Sequence, residues 1–172
     1  LTVSPADDST TQITADIAEG VAQSQAGTPS LAAEQATQTV DTVLPGVVIS
    51  DNQSATAISD VLYTFTFDEP VSGFTADDVV VTGGSKGAFT AVSSTEYTLV
   101  VVPAADSTAD ITVAVAADIA SDSAGNGNTV ALTSSQAVDT VAPELEITDN
   151  FPDIADGPVT FTFTFSEDVV GF

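Results

Sequence analysis

The sequence predicts an all-β fold of sandwich domains in tandem, and three observations carry that prediction. Tyr63, Phe65 and Phe67 interleave with Thr64 and Thr66, and Phe161, Phe163 and Phe165 with Thr162 and Thr164; period two is the signature of a half-buried strand. Hydrophobic residues make up 43% of the chain against 15% charged ones, and the chain is rich in strand-forming Val, Ile, Thr and Phe, so a core can form despite a formal charge of −24. The chain also repeats itself. Residues 49–74 recur at 147–172 with 13 identities in 26 positions, and residues 1–44 recur at 99–142 with 19 in 44, both displaced by 98 residues.

Within one period the alternation gives seven strands in order, A to G, at about 46–50, 61–67, 78–82, 88–92, 96–102, 110–116 and 129–135. Gly83-Gly84, Ser93-Ser94, Pro103 and Ala124-Gly125-Asn126-Gly127 separate them, all turn formers set where the alternation lapses. Seven short strands in 98 residues without a helical period favour an immunoglobulin-like seven-stranded β-sandwich over a barrel. The expected division is the C-terminal part of one repeat at 1–42, a complete repeat at 43–140 and the N-terminal part of a third at 141–172. Val-Asp-Thr-Val at 40–43 and 138–141 leads into Pro45 and Pro143. Proline fixes φ, so these are stiff links. The sequence opens at Leu1 without a basic and apolar leader, as expected of an excerpt or a processed product.

Composition removes most chemistries. One Lys and no Arg stand against 25 acids, with no His and no Cys. Thiol nucleophiles, imidazole bases, disulfides and Cys/His zinc sites are excluded. Lys86 alone cannot neutralise a phosphate backbone or dock on an anionic bilayer, and no apolar run approaches ~18 residues. The expectation is therefore no nucleic acid, no membrane insertion and no small-molecule substrate. Paired carboxylates can hydrolyse sugars, but Trp is absent and Tyr occurs twice. The chain is read as non-enzymatic.

A metal, if bound, must be held by oxygen. In this sandwich the loops after strands B, D and F face the preceding repeat, and those after A, C and E the following one. Asp8, Asp41, Asp68, Glu69, Asp118 and Asp122 should then gather at the first junction. Asp106, Asp139, Glu167 and Asp168 repeat part of that set at the second, joined by Asp51 and Asp60. With no cation nearby such a seam repels itself, and calcium, which takes six to eight oxygen ligands in flexible geometry, suits it better than magnesium. Taken singly, each Asp also fits a solvated turn. The loop of the first copy departs from the set, with Gly20, Ser24 and Thr28 where Asp118, Asp122 and Asn126 stand later.

Val-Asp-Thr-Val-x-Pro at the link, the Phe-Ser/Asp-Glu turn, Gly-Phe-Thr-Ala-Asp-Asp after strand B and Asp-Ser-Ala-Gly-Asn near the end together resemble bacterial immunoglobulin-like repeats of large secreted, calcium-dependent adhesins and biofilm proteins. The resemblance covers all three pieces. It implies a rod at the bacterial cell surface with Ca2+ at its joints, whose partners are neighbouring repeats of the same or adjacent chains. The expected function is a structural spacer. The alternative is a fibre subunit in which partial terminal repeats of neighbouring chains complete one sandwich by strand complementation.

Overall fold

In the computed structural model, which describes all 172 residues, seven strands between Val47 and Gln136 divide into two antiparallel sheets. The first β-strands of the chain lie before them: β1 (Ile13–Ala15) pairs with β2 (Ala36–Gln38). One sheet of the sandwich runs in the order β3 (Val47–Asp51), β4 (Val61–Phe67), β7 (Glu96–Pro103), β6 (Gly84–Ala91). The other runs β5 (Val79–Thr82), β8 (Ile111–Val115), β9 (Ser134–Gln136). In chain order these are strands A to G, arranged ABED against CFG, the immunoglobulin-like constant-type topology. A parallel bridge of Ala57 with Val138 closes one side, where Ala57 N–H donates to Ala137 O and Asp139 N–H to Ala57 O. A second ribbon, β10 (Leu145–Asp149) with β11 (Phe161–Phe165), follows.

The core follows from the alternation. Val61, Tyr63, Phe65 and Phe67 of β4 are buried while Leu62 and Thr66 face out, against Leu99 and Val101 of β7 and Ile111, Val113 and Val115 of β8. Phe74, beyond the end of β4, sits at the hub of an aromatic cluster, 5.1 Å from Tyr97 and 5.3 Å from both Phe65 and Phe67 by ring centroid. Edge-to-face pairs of this kind add to the burial of the rings themselves.

Two strands differ from expectation. β6 begins at Gly84 because the turn is concentrated at Gly83, whose φ of 73° suits glycine and whose absent side chain leaves room for the Asp110 carbonyl. A bulge between Lys86 and Phe89 then shifts the register, which hides the first half of the strand from any period-two reading. β9 is short. Thr129 N–H donates to Pro45 O and Ala131 N–H to Val115 O, so this stretch bonds alternately to two neighbours and forms no continuous ladder before Ser134.

The repeat extends to pairing register. Ile13 faces Gln38 as Ile111 faces Gln136, and Leu145 faces Phe165 as Val47 faces Phe67, each displaced by 98 residues.

Candidate metal centre

The link residue Thr42 is clamped to the turn that precedes β1. Its Oγ1 donates to Ala6 O (2.8 Å) and accepts from Ser9 N–H (2.9 Å), and its own N–H donates to Ser9 O (3.0 Å). Thr140 repeats the clamp on Ala104 O (2.7 Å), Ser107 N–H (3.0 Å) and Ser107 O (2.9 Å). A hydroxyl that both donates and accepts fixes the chain on either side of itself. Asp41 is thereby held where its Oδ1 accepts Val43 N–H at 3.2 Å.

Three acids from distant segments meet beside this link. Carboxylate oxygens of Asp41, Glu69 and Asp122 all lie within 4.8 Å of one another. Glu69 comes from the loop after β4 and Asp122 from the loop between β8 and β9, both at the end of the sandwich that Asp41 enters. Asn126 ties the set together, its Nδ2 donating to Asp122 Oδ2 (2.8 Å) and to Asp41 O (3.2 Å).

Asp122 is buried, and its Oδ1 accepts three backbone N–H groups, from Ala124 (2.8 Å), Gly125 (2.7 Å) and Asn126 (2.8 Å). Burial alone would raise its pKa. The Asn126 side chain and the N–H groups of Asn126, Gly125 and Ala124 outweigh burial and hold the carboxyl below its ordinary value. Glu69 is displaced the other way, raised above the usual 4.5 first by burial and then by the charges of Asp122, Asp41 and Asp68.

Asn128 shapes the loop. It is buried, its Oδ1 accepts Ile119 and Ala120 N–H, and its Nδ2 donates to Ala116 O and Thr129 O. All four bonding positions of its amide are used, the best case for a buried polar group. Neither Thr42 nor Asn128 stood out in the sequence as a site residue. The recurrence of Thr42 at Thr140 was the available signal, and nothing comparable marks Asn128, whose counterpart in the first copy is Ser30.

The other expected ligands take different places. Asp68 is exposed and its Oδ1 accepts Gly46 N–H at 2.8 Å. Asp118 is exposed in a left-handed backbone conformation (φ 61°) with its carboxylate against Gly127. Asp8 and its counterpart Asp106 are exposed turn residues with φ of 48° and 50°, on the turns that Thr42 and Thr140 clamp. None of the four belongs to the three-acid set. At the second junction Asp139, Glu167 and Asp168 line one cleft of about 530 Å³ with Ile58 and Val141. Asp51 instead accepts Gln53 N–H at 2.8 Å, and Asp60 is exposed.

A cation with oxygen ligands at about 2.3–2.6 Å requires those oxygens to lie no more than roughly 5 Å apart. The Asp41, Glu69 and Asp122 oxygens meet that requirement, and hard oxygen donors suit calcium. The loop of the first copy sharpens the point. Ser24 N–H donates to Thr28 O (2.9 Å) and Ser24 Oγ accepts Thr28 N–H (3.1 Å), as Asp122 N–H donates to Asn126 O (3.1 Å). One hydroxyl therefore suffices for the turn. Asp122 brings to the same turn a second oxygen, Oδ2, which accepts Asn126 Nδ2 at 2.8 Å.

A family model described as a bacterial Ig-like domain matches residues 41–138. No curated protein matches the chain.

Proposed function

The chain belongs to the bacterial Ig-like domain family, and from that premise we propose that it is a spacer segment of an extracellular bacterial adhesin or matrix fibre, stiffened by calcium at the joint between repeats. The observation that carries the reading is the convergence of Asp41, Glu69 and Asp122 in a loop whose earlier copy folds with Ser24 in place of the acid. Asp41 belongs to the link, whereas Glu69 and Asp122 belong to the sandwich. A calcium ion held by all three would fasten the entering chain to the domain and remove one hinge.

The role is structural. Its partners are neighbouring repeats of the same kind, in the same chain or an adjacent one, and its place is the cell surface. Calcium supplies charge neutralisation and a fixed ligand geometry, while this chain's residues orient the carboxylates. Thr42 sets the position of Asp41. Asn126 and the Asp122–Asn126 turn keep the Asp122 carboxylate ionised and turned toward Glu69.

Titrating calcium into the 172-residue chain tests the reading. Melting temperature and the maximum dimension from small-angle scattering should both rise, and Asp122→Ser should abolish both responses while leaving the metal-free protein folded. A wild-type chain indifferent to calcium in both measurements would overturn the metal part of the proposal.

A further inference from the structure

We infer that the Asn126–Gly127 step is a deamidation site, and that its conversion to aspartate places a fourth carboxylate beside Asp41, Glu69 and Asp122. The reaction needs the backbone nitrogen that follows an asparagine to reach the side-chain carbonyl carbon, and a residue without Cβ obstructs that approach least. Of the four asparagines only Asn126 precedes glycine; Asn52, Asn128 and Asn150 precede Gln53, Thr129 and Phe151.

The loop leaves the attacking group free. The hairpin is bonded through Asp122 N–H to Asn126 O (3.1 Å) and Asn128 N–H to Ala120 O (3.0 Å). The Gly127 N–H between them donates to no protein acceptor. Gly125 and Gly127, with Asp118 and Ser72, line an open cleft of about 320 Å³ on the Gly127 side of the step, and Asn126 itself is only half-buried.

The steps balance without any redox partner. Gly127 N bonds to Asn126 Cγ, the Cγ–Nδ2 bond breaks, and the Gly127 proton leaves with the amide nitrogen as ammonia. Water then opens the cyclic imide to aspartate or isoaspartate.

The product loses both donations of Asn126 Nδ2, to Asp122 Oδ2 and to Asp41 O, and puts negative charge in their place. Burying a fourth acid among three, with no ammonium or guanidinium near, weakens the metal-free joint and increases its demand for a cation. That consequence rests on the calcium reading above, whereas the reaction itself does not.

Holding the folded chain at mildly alkaline pH, with EDTA or with calcium, and mapping mass changes after cleavage at acidic residues tests the site. The NH-to-O mass gain should concentrate at Asn126, an order of magnitude faster than at Asn52 or Asn150, and be absent in Asn126→Gln. Asn126→Asp should show a larger calcium-induced rise in melting temperature than wild type. Conversion at Asn126 no faster than at the other asparagines, or arising only in denaturant, would overturn the inference. Rapid conversion in a chain that ignores calcium would uphold it and sink the calcium reading instead.

Discussion

At the scale of residues, two tyrosines in one core have opposite standing. Tyr97 Oη donates to Val71 O at 3.2 Å, whereas the Tyr63 hydroxyl is buried without a partner. A buried unbonded hydroxyl costs about 1–3 kcal/mol of desolvation, while a made hydrogen bond contributes about 1. Tyr63→Phe should therefore be neutral or stabilising in urea denaturation and Tyr97→Phe destabilising by about 1 kcal/mol. The sequence already carries Phe161 at the position 98 residues after Tyr63.

Burial, with a contribution from Asp51, pushes the Tyr63 pKa up to about 12. A raised acid favours the neutral form in the fold, so its stability is present below pH 10 and lost as pH climbs toward 12. Thermal melts across that range should steepen for wild type and flatten in Tyr63→Phe. Glu69 obeys the same sign in the acid range, the metal-free protein losing stability relative to Glu69→Gln as pH rises through and above 4.5. Asp122 opposes it, stabilising above 3.8 and ceasing to do so as pH falls through its lowered pKa.

At the scale of elements, the aromatic stripe of β4 and its hub Phe74 hold the two sheets together. Phe74→Ala should cost about 3–5 kcal/mol, read as a lower urea midpoint, because the cavity would open beneath the four rings of Phe65, Phe67, Phe89 and Tyr97. The stripe was legible in the sequence, since its alternation with Thr64 and Thr66 is unbroken. The start of β6 was not, because a bulge destroys the local period that a strand reading needs. The links carry, besides their prolines, the hydrogen bonds of Thr42 and Thr140. Thr42→Val removes the hydroxyl bonds to Ala6 and Ser9 and should free the link, raising amide exchange at Thr42 and Val43 while β3 to β9 keep their protection.

At the scale of the whole molecule, a net charge of −24 with Lys86 as the one basic side chain leaves the carboxylates to repel one another through solvent. Lys86 itself is engaged locally, its Nζ donating to Ala76 O at 2.6 Å. Raising sodium chloride screens the general repulsion over a Debye length of about 8–10 Å. It should compact the chain without reproducing the calcium response, which scattering at matched ionic strength can separate from specific binding.

Sequence alone determined that the chain is an all-β repeat of 98 residues, that its core is the Tyr63, Phe65 and Phe67 stripe, and that only oxygen donors are available for a metal. Those conclusions rest on composition and local periodicity, which are written in consecutive residues. Which of the candidate acids meet was decided by the tertiary structure. Asp41, Glu69 and Asp122 are far apart along the chain and converge only because the sandwich brings the link and two of its loops to one end, where Asn128 shapes the Asp122 loop from within while Asn126 and Thr42 hold the link through hydrogen bonds between segments that no local pattern encodes.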